Sequence, residues 1–322
     1  MAEAPPSRLA VVGLGRQGRR HCLVASRNPH AEVVATVDPT SPGLPGIPHV
    51  ASVDEALELE LDGAVVATPT THHIEPTRAL LEAGVPTLIE KPLAASADEA
   101  AEVVQLAQAT GTTLVVGHVE RFNPAVRLVH AMLASGRLGV PVALSFRRVG
   151  LPPVIATEVD VIHDLAVHDI DIFTHLAAPP KVLGVSRWPA AGLAESAFLL
   201  LDGGGISGSV QVNWRTPVRI REFTLTTDSS YLLANYTTQV VELFEATDVG
   251  DFDDFGEFQS HYGSASSTRF EPATAEPLAA QLEAFLDLLR TGCLGSLATA
   301  EDGLIAVRIA DRASRWRWRT DD

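Results

Sequence analysis

The sequence predicts an α/β half built on a doubly wound parallel sheet, followed by an α+β half built on a mostly antiparallel sheet. Three observations carry this. Short apolar runs alternate with helical stretches from Leu9 to about Gly117. After Asn123 the pattern changes to strand-like runs separated by turn residues. Between the first strand and the first helix lies a glycine loop, Gly13-Leu-Gly15-Arg-Gln-Gly18.

The first strand, residues 9–12, runs straight into that loop. Its first glycine makes the tight turn, the second lets backbone approach a pyrophosphate, and the third lets helix pack on strand. The free N–H groups and dipole of the helix start form an anion site, with Arg16 and Gln17 inside the loop. A second strand, 32–37, ends in Asp38, twenty residues after Gly18. An acid there accepts hydrogen bonds from a ribose 2′-OH and repels a 2′-phosphate, which favours NAD over NADP. The structural alternative is a turn aspartate before Pro39.

The remaining elements of this half follow in order. A Pro/Gly-rich loop (39–48) precedes a helix at 53–59 and a strand at 63–67, which ends in Thr68-Pro69-Thr70. A helix at 75–83 leads to a strand at 86–89, ending in Glu90-Lys91-Pro92. The helix at 96–110 opens with a capping-box pattern, Ser96 to Glu99, and a strand at 113–117 closes the series. Ligands of such sheets bind at the carboxyl ends of the strands. Segments 13–18, Asp38, 68–73, 90–92 and 117–123 all fall there, so Thr68, Pro69, His72, Glu90 and Lys91 join the glycine loop as candidate cofactor contacts.

In the second half a helix at 124–135 precedes a strand at 140–148, a loop with Pro152-Pro153 and a helix around 161–176. Strands follow at 181–187, 194–201, 206–214, 221–226, 231–235 and 239–244, with Asp202-Gly-Gly-Gly205 as a hairpin connection. Residues 245–275 are acidic and turn-rich and read as a partly disordered loop. Helices at 277–290 and 300–314 end the chain. This organisation divides the chain into a dinucleotide domain, 1–122, and a substrate and oligomerisation domain, 123–322, with the last helix free to pack back on the first.

Composition narrows the function classes. The formal net charge of −16 excludes a general nucleic-acid surface. Only two cysteines, Cys22 and Cys293, imply a reducing compartment without a disulfide framework. Residues 1–7 do not read as a signal peptide, and no apolar run has membrane-spanning length, so a cytoplasmic protein without a membrane partner is expected.

A polar stripe marks the second half. In a helix, Asp160, Asp164, His168, Asp171 and His175 fall on one arc of about 80° among mostly apolar residues. Such a stripe must meet partners or face a cleft. Three readings compete: a structural network, catalysis by a histidine that an aspartate one turn earlier orients, and a metal site, which the spacing disfavours. Lys91 shifts the balance toward catalysis. It follows a sheet strand on the cofactor edge, and Lys91 and Lys181 are the only lysines among 24 basic residues. A lysine at a water-poor site serves as proton donor or acceptor.

With these pieces assembled, the chain resembles the glucose–fructose oxidoreductase/inositol dehydrogenase family over nearly its whole length. The matching stretches are the glycine loop, Val66-Ala-Thr-Pro-Thr-Thr-His72, Glu90-Lys-Pro-Leu93, Asp164-x-x-x-His168-x-x-Asp171 and Glu276-Pro-Leu before two helices. The resemblance implies a Rossmann domain plus an open-faced sheet domain, with the site between them. It implies Lys91, Asp164 and His168 as catalytic residues, NAD as cofactor, no metal, and a homodimer or homotetramer formed through the open sheet face. Gly117-His-Val-Glu-Arg-Phe-Asn-Pro-Ala125 looks most like the UDP-N-acetylglucosamine 3-dehydrogenase branch, which places His118, Arg121 and Asn123 near substrate. Helix capping is the structural alternative for Asn123-Pro124. The expected activity is oxidation of a secondary hydroxyl, at C3 of a sugar, nucleotide-sugar or nucleotide, ahead of transamination. A reductase of a keto-sugar or imine and a dinucleotide-sensing regulator are the alternatives. Acidic residues in 249–258 would oppose a diphosphate, and Arg147, Arg148, Arg215, Arg219 and Arg221 are the available counter-charges.

Overall fold

The computed structural model describes residues 5–152, 159–189, 191–245, 254–262 and 267–317. Its first half runs β1 (Ser7–Val12), α1 (Arg16–Ala25), β2 (Ala31–Val37), β3 (His49–Val50), α2 (Val53–Leu57), β4 (Gly63–Val66), α3 (Ile74–Glu82), β5 (Thr87–Glu90), α4 (Ala97–Thr110) and β6 (Leu114–Gly117). The second continues with α5 (Pro124–Ala134), β7 (Pro141–Val149), α6 (Val167–Leu176), β8 (Lys181–Trp188), β9 (Ser196–Asp202), β10 (Ser207–Asn213), β11 (Ile220–Thr227), β12 (Ser230–Asn235) and β13 (Val240–Glu245). Beyond these lie α7 (Phe255–Tyr262), β14 (Thr268–Phe270), α8 (Pro277–Thr291), β15 (Ala298–Thr299) and α9 (Ala300–Ser314).

The first sheet has the order β15-β6-β5-β4-β1-β2-β3, all parallel except β15, which pairs antiparallel with β6. Strands β4, β5 and β6 are buried at every residue, as expected of a sheet covered on both faces. One face packs on α2, α3 and α4, with Leu304 and Val307 of α9 added to that core. On the other, Leu282, Phe285 and Leu286 of α8 pack with Cys22 and Ala25 of α1. The chain's return therefore extends beyond the last helix: α8, β15 and α9 all rest on the first sheet. Helix α1 alone leaves much of its face uncovered, and the amphipathic α8 closes it.

The second sheet has the order β14-β13-β12-β11-β7-β10-β9-β8, antiparallel apart from the β7–β10 pair. Phe146 and Phe223 face a core completed by Val126 and Val129 of α5 and by Ile170 and Phe173 of α6. The opposite face exposes Phe198, Leu200 and Tyr231. The Asp202–Gly205 connection is a hairpin closed by Gly203 N–H donating to Ile206 O.

Three local expectations are corrected. Segment 245–275 contains α7 and β14, while residues 246–253 and 263–266 lie outside the described residues. The helix expected over 161–176 starts as a π turn, Ile162–Ala166, before α6 begins. Ser96 Oγ accepts from Glu99 N–H as a cap should, but the adjoining Ala97 N–H donates to Asp311 of α9. The reciprocal capping box forms instead at Thr299 and Asp302, where α9 starts.

Candidate active site

The glycine loop is shaped by close approach at both ends. Gly13 has φ +91°, and a Cβ there would lie 2.6 Å from Thr68 N. A Cβ on Gly18 would fall 1.8 Å from Gly13 O, so only glycine lets α1 pack against the turn. Gly15 differs: a Cβ there meets nothing within 4 Å. Nothing among the described residues requires glycine at that position, and its absent side chain leaves the backbone open to close approach from outside. Arg16 is exposed at the start of α1.

Asp38 braces the same loop. Its Oδ2 accepts from Leu14 N–H at 2.8 Å, and its Oδ1 accepts from Thr40 N–H, Thr40 Oγ1–H and Ser41 N–H. Burial alone would raise its pKa, but these four hydrogen bonds outweigh it and hold the carboxylate below its ordinary value. Oδ2 makes only one of these bonds, which leaves it capacity toward a ribose hydroxyl.

Glu90 is buried and accepts from Gln17 Nε2 at 3.3 Å and Lys91 N–H at 3.3 Å, with His21 Nε2 at 2.8 Å. Burial pushes it up, yet the His21 hydrogen bond and the cations around it keep it deprotonated. Thr68 Oγ1–H donates to His72 O, and Pro69 leads into the short helical turn Thr70–His72. His72 is exposed; its neighbour His73 is the buried one, with ring nitrogens 3.0 Å from Thr68 O and from Pro92 O. His73 thus ties the turn after β4 to the turn after β5. His21 and His73 were not singled out in the sequence, because both roles come from packing across the fold.

Lys91 crosses from the first sheet to the second half. Its Nζ donates to Asp164 O at 2.8 Å and to Asp164 Oδ1 at 3.2 Å. The π turn explains the first bond: a widened turn frees backbone carbonyls from the helical ladder, and such turns recur at functional sites. The expectation that Asp164 orients His168 is therefore corrected, since its carboxylate grips Lys91. His168 Nδ1 is buried without a hydrogen-bond partner among the described residues. Burial, then the charges of Lys91, Arg148, His118 and Arg221, hold this imidazole far below its ordinary pKa, in the neutral form.

The remaining members of the stripe turn to different neighbours. Asp160 and Asp311 of α9 grip His163, at 2.8 and 2.9 Å. Asp171 pairs with Arg121 at 2.6 Å, and His175 stacks on His130. The π turn breaks the 100° rotation on which a single stripe depended.

Arg121 and Asn123 are committed to the protein. Arg121 is buried, with Nε and Nη2 on Asp171 and Nη1 on Asp302. Asn123 caps α5 by accepting from Ala125 N–H, and its amide donates to Tyr236 O and Glu120. Three of the five Arg121 N–H groups and both amide hydrogens of Asn123 are spent within the protein. His118 is buried with both ring nitrogens lacking a hydrogen bond among the described residues, Nδ1 lying 3.8 Å from Asp171. A second buried pair, Arg148 on Asp169 at 2.9 Å, also meets Glu120. Together the two arginines pin α6 beneath the site. Among the described residues no three His, Cys, Asp or Glu converge on a common metal position. No described helix is long and apolar enough to cross a membrane.

A parallel sheet with a glycine loop, an acid at the end of its second strand and a lysine held by Asp164 at its carboxyl edge is the architecture of an NAD-binding Rossmann oxidoreductase. Residues 7–118 match the model of the GFO/IDH/MocA family, described as "Oxidoreductase family, NAD-binding Rossmann fold". It is 28% identical over 214 residues to UDP-N-acetylglucosamine 3-dehydrogenase of Acidithiobacillus ferrooxidans, covering 62% of this chain and 65% of that relative. It is 26% identical over 332 residues to inositol 2-dehydrogenase of Leifsonia xyli subsp. xyli, covering 98% and 94%. The solved structure of the Acidithiobacillus enzyme superposes with a TM-score of 0.80 at 21% identity over 96% of each chain, a likeness of fold.

Proposed function

We propose that the protein is an NAD-dependent dehydrogenase that oxidises a secondary hydroxyl, at C3 of a sugar or nucleotide-sugar, to a ketone suited to transamination. The observation that carries this is Lys91, held by Asp164 at the cofactor edge of the sheet, with its charge acting on the buried imidazole of His168. The loop of Gly13, Gly15 and Gly18, with Gln17, Asp38 and Glu90, would hold the dinucleotide, with Arg16, Thr68, Pro69 and His72 at its margin. NAD, when bound, supplies the hydride acceptor.

The chain's own groups divide the rest of the work. His168 takes the hydroxyl proton as general base. Lys91 hydrogen-bonds the reacting oxygen and stabilises charge developing there. Asp164 fixes the ammonium through its carboxylate and its main-chain carbonyl, so that Lys91 reaches the oxygen without reorganising. Asp38, held ionised, supports NAD over NADP. The exposed apolar face of the second sheet supports assembly of two or four copies through that face.

NADH formation by the purified protein with NAD and a panel of UDP-N-acetylhexosamines, inositols, free sugars and nucleotides tests the proposal. Turnover of a UDP-sugar to a 3-keto product supports it. Turnover of another class keeps the chemistry and replaces the substrate. NADPH-dependent reduction of a keto-sugar, with no oxidation of any panel member, overturns the proposed direction.

A further inference from the structure

Five arginines of the second half were candidates to offset an anionic substrate, and the structure sorts them by partner. Arg147 pairs with Glu222 across two strands. Arg215 pairs with Glu195 and lies over the Trp188 ring. Arg148 is buried between Asp169 and Glu120. Arg219 and Arg221 form no ion pair among the described residues.

Arg221 is the more informative of the two. In the register of β11 on β7 it stands directly opposite Arg148, so both side chains leave the same sheet face. That is the face on which α6 lies, because Arg148 meets Asp169 there. Arg221 Nη1 donates to Val149 O at 2.7 Å and Ile220 O at 3.0 Å, which anchors the guanidinium and leaves its other N–H groups unspent. Burial, with Arg148 and Arg219 close by, pushes it down to about 10. It also reaches His168, being one of the cations that keep that ring neutral. A part-buried cation set among cations is costly unless an anion joins it. Asp169 and Glu120 act on Arg221 from a distance, but both are paired with Arg148, and among the described residues no carboxylate forms an ion pair with Arg221.

Building on the proposed dehydrogenase, we infer that Arg221, flanked by Arg219, receives an oxyanion of the substrate beside the carbon on which His168 and Lys91 act. A guanidinium binds a carboxylate or a phosphate through the same paired N–H···O geometry. Two sources fit: the carboxylate of a hexuronate ring, or the diphosphate of a nucleotide-sugar.

The test compares wild type with Arg221→Ala, Arg221→Lys and Arg219→Ala on inositol, a free hexuronate, UDP-N-acetylglucosamine and its uronate. Arg290→Ala removes the same charge from the exposed end of α8 and serves as control. Arg221→Ala is expected to lower the ratio of kcat/KM for anionic over neutral substrate by about tenfold or more. The loss should sit mainly in KM, with partial recovery in Arg221→Lys and none of the effect in Arg290→Ala. A loss confined to the uronates identifies the carboxylate as the source, and a loss shared by both UDP-sugars identifies the diphosphate. Equilibrium binding of UDP and of the hexuronate to the NAD-loaded protein is measured in parallel. Binding that depends on Arg221 without turnover of any panel member supports the anion site and removes the dehydrogenase reading. An unchanged ratio with unchanged binding in both arginine variants overturns the inference.

Discussion

Lys91 and Asp164, 73 positions apart in the chain, meet through two hydrogen bonds from one ammonium: 2.8 Å to the main-chain oxygen and 3.2 Å to the carboxylate. The pair joins the end of β5 to the π turn before α6. Lys91→Ala is expected to lower kcat by about 10²-fold or more, with the Kd for NAD within a few-fold. Asp164→Ala should cost less, because the carbonyl bond to Lys91 remains. Steady-state kinetics alongside NAD titration would check this; equal losses in both variants would show that the carboxylate has a role besides holding Lys91.

The two loop glycines separate folding from binding. Gly15→Ala places a methyl in open space, so the protein should fold with an unchanged urea midpoint while NAD affinity falls by about tenfold or more. Gly18→Ala drives a methyl onto Gly13 O and should lower both the midpoint and the affinity. Circular dichroism with isothermal titration distinguishes them.

Asp38 links cofactor choice to loop geometry. In Asp38→Ser the charge that opposes a 2′-phosphate is gone, together with part of the bracing of Leu14 N–H. The ratio of NAD to NADP affinity should fall by about tenfold or more, with weaker binding of NAD itself. An unchanged ratio would place the ribose elsewhere.

His163 supplies a pH-dependent contribution to stability. Burial alone would lower its pKa, but the hydrogen bonds and charges of Asp160 and Asp311 outweigh this and raise it from 6.5 to about 9. A group with a raised folded-state pKa adds stability in full below its unfolded value, and that contribution fades as pH rises toward the folded one. The wild-type urea midpoint should therefore lose, between pH 6.5 and about 9, a component that His163→Gln lacks. Parallel curves for the two proteins across that range would contradict the assignment.

The buried pair Arg121–Asp171 sets a stability cost. Asp171→Ala leaves the guanidinium with only Asp302, and removing one partner of a buried pair costs about 3–5 kcal/mol. Denaturant unfolding measures it, and a loss under about 1 kcal/mol, the size typical of surface pairs, would show that water reaches Arg121.

The parts of the fold that the sequence disclosed are those whose residues carry a period or a spatial necessity. Strands β4, β5 and β6 are legible because burial on both faces demands unbroken apolar runs, and Lys91 because it follows one of them. The two-residue strands β3 and β15 are too short to carry a period. The π turn adds a residue that a fixed 100° rotation cannot anticipate, and with it the one-face stripe dissolves into separate contacts. Arg121 and Arg221 are the same residue type, each near the site. What pairs one and leaves the other without an ion pair among the described residues is the placement of Asp171 and Asp302, which only the assembled fold reveals.

The pairing of Ala298 and Thr299 with Val116 and Val115 has a consequence for biosynthesis. The edge of β6 and the face under α8 are completed by residues translated after the entire second sheet. On the ribosome, the dinucleotide sheet starts first and finishes last, with an open strand edge and an uncovered apolar face while β7 to β14 emerge. A chain stalled before α8 should therefore engage chaperones that the released protein no longer needs.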